Sequence, residues 1–180
     1  MIKNVTVFGG ANPKAGEAAY EEALSLGRLL GLAGYTVLTG GYIGTMEAVS
    51  RGAAEAGAHV VGVTCDEIER WRPVRRNAWV QEERHFPTLR QRLFALIEGC
   101  DAALALPGGP GTLAEVAMFW NHLLTNAIAP RPLILIGTGW KTTMEQFFRS
   151  FDSYIPENQR GWLAFALDGE AAVEYLKLEK

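Results

Sequence analysis

The chain has 180 residues, 48% of them hydrophobic and 21% charged, which excludes a disordered or fibrous protein and gives enough length to bury a core without staples. Seventeen basic residues stand against twenty acidic ones, a net charge of −3, with no long run of one sign, so a general binder of the nucleic-acid backbone is excluded. Cys65 and Cys100 fit no disulfide framework or zinc spacing, no apolar run approaches the roughly 20 residues of a membrane span, and no signal peptide precedes the first apolar run, so a cytoplasmic protein away from membranes is expected.

In chain order, short β-branched runs alternate with helical patterns. A strand over residues 5–8 precedes a helix over 17–33, and a strand over 35–38 precedes a helix over 44–56. The run 59–63 leads into an irregular segment, 66–86, which holds Trp71, Arg72, Arg75, Arg76 and Trp79 and has room for one more strand at 79–86. This basic, aromatic segment is either a loop that closes over an anion or packs on a partner subunit, or a solvated loop anchored by its tryptophans. A helix over 88–98 and a strand over 102–106 follow, then a helix over 112–124, a strand over 133–136 and a helix over 142–151. The last run, 163–167, stands before Asp168, whose side chain suits the N-cap of a closing helix. Strand and helix in strict rotation, with continuously apolar strands, predict an α/β fold. It is expected as one doubly wound, Rossmann-like domain over 1–180, its mostly parallel sheet covered by helices on both faces.

Twenty glycines, one residue in nine, cluster after three strands. Gly9 and Gly10 follow the first; Gly40, Gly41 and Gly44 follow the second; Gly108, Gly109 and Gly111 follow the run 102–106. Ligands of open parallel sheets bind beyond the carboxyl ends of the strands, and a helix start offers free N–H groups and a favourable dipole to an anion. The clusters therefore predict a phosphate-bearing ligand. Neither GxGxxG after the first strand nor GxxxxGK[ST] is present, so the dinucleotide fingerprint and the P-loop are both excluded.

Glu115 has two readings. Thr112 to Glu115 spells T-x-x-E, a capping box that would only close a helix start. Alternatively, a carboxylate held ionised by the dipole beside a glycine turn suits sugar hydroxyls or a developing oxocarbenium ion. On the helix over 88–98, Arg90 and Arg92 flank the apolar face, and periodicity does not choose between them. His59 and His85 read as structural, His122 as a polar residue on a helix flank within reach of a site. No His, Cys or acid cluster has metal-ligand spacing.

The run from Pro107 to Glu115, PGGPGTLAE, resembles the PGGxGTxxE signature of the LONELY GUY family, cytokinin riboside 5′-monophosphate phosphoribohydrolases once labelled possible lysine decarboxylases. The turn from Gly40 to Met46 is similar to the family's GGGxxGLMG turn, with Thr39 and Thr45 as substitutions, and the likeness extends from residue 5 to about residue 176. It implies an enzyme that hydrolyses the N-glycosidic bond of AMP or an N6-modified AMP, releasing base and ribose 5-phosphate without cofactor or metal. Arg92, fifteen residues before Pro107, and Glu115 would be catalytic. Gly108, Gly109, Pro110, Gly111 and Thr112 would hold the phosphate, with Gly40, Gly41 and Gly44 lining it and Leu93 and Asn121 contacting the nucleotide. The departures are Leu93 for a lysine, Ala114 for a frequent glutamate and Pro110 for a frequent tyrosine. A decarboxylase would need a Schiff-base lysine, and Lys14 and Lys141, the two away from the termini, follow no cofactor pattern. The alternative is a carrier or sensor that binds a phospho-ligand without turnover. A homodimer or larger homo-oligomer is expected, because the helix over 112–124 has more large hydrophobes than one face requires.

Overall fold

The apolar runs form seven strands: β1 (Asn4–Phe8), β2 (Thr36–Thr39), β3 (Val60–Cys65), β4 (Glu82–Phe86), β5 (Ala102–Ala105), β6 (Leu133–Ile136) and β7 (Ala164–Ala166). Between them run α1 (Ala18–Leu32), α2 (Thr45–Glu55), α3 (Asp66–Trp71), α4 (Leu89–Glu98), α5 (Pro110–Leu124), α6 (Thr138–Ser150), α7 (Glu157–Arg160) and α8 (Gly169–Leu178). These assignments come from a computed structural model that describes residues 2–178; residues 1, 179 and 180 of the expected domain lie outside it.

All six strand pairings are parallel, in the order β4-β3-β2-β1-β5-β6-β7. The chain winds outward from β1 in one direction, returns, and winds outward from β5 in the other. The seam between β1 and β5 is therefore the topological switch point, where an open parallel sheet leaves a crevice. One core layer packs α1, α2 and α8 on the sheet through Leu26, Val49 and Val173. The other packs α4, α5 and α6 through Leu96, Phe119 and Trp140. The Thr6 hydroxyl of β1 donates to the Leu96 carbonyl at 2.9 Å, so a buried polar group in the central strand is satisfied by the helix above it.

The expected strand within 79–86 is present as β4, and Asp168 caps α8 through its carboxylate, which accepts from the Ala171 N–H at 2.9 Å. Two helices begin earlier than the sequence predicts. α5 starts at Pro110 rather than Thr112, because proline is pre-organised for the first helical position; α6 starts at Thr138 rather than Thr142. The segment 66–86 also holds α3, a single short helix that buries none of its residues. Its apolar signal is too weak for periodicity to find. The surplus hydrophobes of α5 are absorbed inside the chain. Phe119 and Leu123 are in the core, and Trp120 meets Phe148 while its indole N–H donates to the Gln159 carbonyl at 2.9 Å. Leu113 is left half-exposed. Among the described residues, no helix is long and apolar enough to cross a membrane.

Candidate functional site

A cleft of about 470 Å³ opens over the carboxyl edge of the sheet at the switch point. One wall is the turn after β1, from Gly9 to Asn12; the facing wall is the start of α5, from Gly109 to Thr112, with Ala114 and Glu115 one turn deeper. Arg92 and Leu93 of α4, and Tyr42 and Met46 around the start of α2, form the floor; Ile68, Trp71 and Arg72 stand at the rim.

The three glycine clusters do different work. At the start of α5, Pro110 has no N–H to offer, while the Gly111 and Thr112 N–H groups lie in the first turn, where no helical carbonyl reaches them. A methyl group added at Gly109 or Gly111 would meet nothing within 4 Å, so this turn is open to a ligand. Gly108 is not open: a Cβ there would lie 2.1 Å from the Thr112 hydroxyl. The second cluster is closed by the first. The Thr45 N–H and hydroxyl both donate to the Gly10 carbonyl, at 2.9 and 3.0 Å. Gly44, at φ +73°, presses within 2.6 Å of the backbone at Ala11, as measured from an added Cβ. Gly41 gives its carbonyl to the backbone and side chain of Asn77. Gly40 makes room for Arg92, whose Nη2 would be 2.0 Å from a Cβ there. Gly40, Gly41 and Gly44 thus shape the cleft from behind and do not line it.

Arg92 and Arg90 part company. Arg92 is 5% exposed, whereas Arg90 is exposed beside the Phe94 ring. The Arg92 guanidinium donates to the Val63 carbonyl at 2.8 Å and to the Gly40 carbonyl at 3.4 Å, and stands 5.8 Å from the centre of the Tyr42 ring. It meets the Glu115 carboxylate at 3.6 Å. The structure therefore brings Arg92, Glu115, Leu93 and the turn from Gly109 to Thr112 into one cleft. Asn121 lies on the exposed flank of α5 outside it, and His122 stacks on Phe94 at 5.4 Å.

The capping-box reading of Glu115 does not describe this helix. Thr112 is the third residue of α5, Gly109 is its N-cap, and no side chain caps the start. The expectation that the dipole holds Glu115 ionised is also overturned. The Glu115 side chain is 12% exposed; burial pushes its pKa up to about 7, and Arg92 only partly offsets that. Glu115 lies beyond the first turn, where the dipole has faded.

Tyr42 is a site residue that the glycine spacing hides. Fully buried, its hydroxyl accepts from the Cys65 N–H at 2.8 Å and faces the Cys65 carbonyl and Glu69, and burial lifts its pKa to about 12. The fold also gathers Glu69, Glu83 and His85, whose ligand atoms lie within 4.8 Å of one another. The sequence shows no such metal-ligand spacing because the group joins alternate residues of β4 to α3. It is neutralised from within: Arg76 pairs with Glu83 at 3.3 Å, and His85 with Asp66 at 2.8 Å, which raises the His85 pKa.

An open helix start at the switch point of a parallel sheet, with a buried guanidinium–carboxylate pair beneath it, defines a Rossmann-like α/β domain with a cleft at its carboxyl edge. The model of the SLOG cluster4 family matches residues 2–125, and the chain belongs to that family and to the LONELY GUY group that its glycine motif resembles. It is 30% identical over 156 residues to a cytokinin riboside 5′-monophosphate phosphoribohydrolase of Rhodococcoides fascians, covering 85% of this chain and 74% of that one. It is 30% identical over 180 residues to a pyrimidine/purine nucleotide 5′-monophosphate nucleosidase of Escherichia coli, of which it spans only 38%. The solved structure of the molybdenum cofactor carrier protein of Chlamydomonas reinhardtii superposes with a TM-score of 0.73 at 26% identity, over 100% of both chains.

The glycine roles predict an order of effects. Gly44→Ala, strained in φ and against backbone, lowers stability by roughly 2 kcal/mol or more. Gly40→Ala drives its Cβ into the Arg92 guanidinium, which is held by two carbonyls and Glu115, and lowers stability by a similar amount. Gly111→Ala leaves stability unchanged or slightly raised but weakens phosphate binding. Urea melts and a phosphate titration check the ranking.

Glu115 sets a second expectation. Its folded pKa is raised above the unfolded value, so the stability it contributes is full below about pH 4.5 and is lost as pH rises through about 7. Glu115→Gln, which has no proton to lose and so gains no buried charge, is therefore more stable than the parent at about pH 8, by on the order of 3 kcal/mol at most. At about pH 5 the difference largely vanishes. Thermal melts at both pH values measure it.

Proposed function

We propose that this protein hydrolyses the N-glycosidic bond of a nucleoside 5′-monophosphate, releasing the free base and ribose 5-phosphate. The observation that carries the reading is the buried Glu115 carboxyl, 3.6 Å from Arg92, one turn below the open N–H groups of α5. A 5′-phosphate on the Gly111 and Thr112 N–H groups sets the ribose over Glu115. As the bond from C1′ to the base nitrogen breaks, its electron pair leaves with the base and positive charge grows on the ribose. Ionised Glu115 stabilises that charge and takes the proton of the water whose oxygen bonds to C1′; that proton is then passed to the departing base nitrogen, so the base leaves neutral and Glu115 is ionised again. Arg92, fixed by two carbonyls, orients the carboxylate and keeps part of it ionised despite burial. The names of the R. fascians and E. coli relatives fit this chemistry.

A carrier reading is favoured by two observations. The Chlamydomonas carrier matches end to end, and Leu93 and Ala114, both in the cleft, offer the ligand no charge. A carrier would bind the same nucleotides and release no base. The homodimer rests on Leu89 and Leu113, half-exposed on α4 and α5; a sedimentation profile with a single monomer species at micromolar concentration contradicts it.

Incubation with AMP, N6-isopentenyl-AMP, GMP and CMP, with chromatography for free base, separates enzyme from carrier. Glu115→Gln lowers turnover on the order of 10² or more while ribose 5-phosphate still binds; a variant with full turnover overturns the role of the carboxylate. Because only ionised Glu115 serves, base release rises with pH through about 7 and levels off above it. A rate that falls across that range contradicts the assignment.

A further inference from the structure

The rim of the cleft contains two side chains that the hydrolytic reading leaves idle. Trp71 ends α3 with 77% of its surface exposed, and Arg72 caps the helix, its guanidinium 5.1 Å from the centre of the Trp71 ring. Both line the cleft. The Arg72 Nε is buried and donates to nothing, and among the described residues no carboxylate pairs with this guanidinium. Buried donors are normally satisfied, so an unpaired one in a cleft points to a partner that arrives with the ligand.

That partner is not the phosphate of the proposed nucleotide. The open N–H groups follow β5 and α3 follows β3, three strand spacings away in the order β3-β2-β1-β5, or about 14 Å. With the phosphate on α5, the ribose and base extend toward α3. We propose that Trp71 and Arg72 read the base, and that they select a purine with an acceptor edge, guanine or hypoxanthine, over adenine. The inference rests on the nucleotide reading above.

The chemistry is that of a donor-only fork. Arginine has five N–H donors and no acceptor. The guanine O6 and N7 atoms accept two parallel hydrogen bonds, and hypoxanthine presents the same pair. Adenine sets an amino donor beside N7 and opposes the fork. Arg72 covers part of the indole, and the exposed remainder of Trp71 gives the ring a face on which to stack, a contact indifferent to base identity.

Calorimetric titrations of Glu115→Gln protein, which consumes the nucleotide on the order of 10² more slowly, test this with ribose 5-phosphate, AMP, GMP and IMP. GMP and IMP bind roughly ten-fold more tightly than AMP. Adding Arg72→Gln abolishes or reverses that preference, since glutamine matches the N6 and N7 of adenine. Adding Trp71→Ala weakens all three nucleotides roughly ten-fold and leaves ribose 5-phosphate unchanged. AMP binding as tightly as GMP, or a preference that survives Arg72→Gln, overturns the inference. Ribose 5-phosphate binding as tightly as every nucleotide removes the base wall and leaves the phosphate site standing. If none of the four ligands binds, the nucleotide reading fails and takes this one with it.

Discussion

The site is organised by one buried cation. Taking a guanidinium out of water costs several kcal/mol unless its donors are met, and Arg92 finds its partners in three different parts of the fold. Val63 lies in β3, Gly40 directly follows β2, and Glu115 belongs to α5. A single side chain from α4 thus ties the carboxyl edge of the sheet to α5, the helix with the open start. The glycine at position 40 is the geometric condition for this, because any larger residue would occupy the place of the guanidinium. Arg92 therefore cannot shift without loosening the floor of the cleft.

The same burial sets the chemistry of its partner. Water is largely excluded from Glu115, and the single cation beside it does not fully repay the lost solvation, so its pKa rests at about 7. A carboxyl in free solution would be spent as a base at this pH, being too weak to hold a proton. Here both protonation states are populated, which is where acid–base work is most efficient. Proximity to Arg92 and distance from solvent act in opposite directions, and their near balance is a property of the pocket.

Much of this was legible in the sequence, and the misreadings have physical causes. The alternation of apolar runs and helical patterns specified the parallel sheet, because buried strands have no polar face to confuse the signal. The family resemblance singled out Arg92, where a helical wheel could not separate it from Arg90, and the structure buries Arg92 in the cleft while leaving Arg90 exposed. The glycines misled in part. A glycine facing a ligand and a glycine facing another backbone look alike in one dimension. Gly111 faces open space, Gly44 faces the backbone of the turn after β1, and Gly108 faces the Thr112 side chain. α3 escaped notice because a helix that buries nothing has no hydrophobic period, and Tyr42 because its partners at Cys65 and Glu69 are more than twenty residues away.

The segment over the rim contrasts with everything beneath it. α3 buries no residue, so its side chains contribute little to the stability of the sheet, whereas Gly40, Gly44 and Arg92 are each locked by close neighbours. Mutational tolerance in the protein is therefore unevenly distributed. Changes in the buried floor risk the fold, while changes in α3 and the turn after it alter what the cleft meets at its mouth with little energetic penalty. A lineage built on this scaffold can exchange the six residues of one exposed helix and inherit the open turn of α5 and the buried ion pair beneath it unchanged.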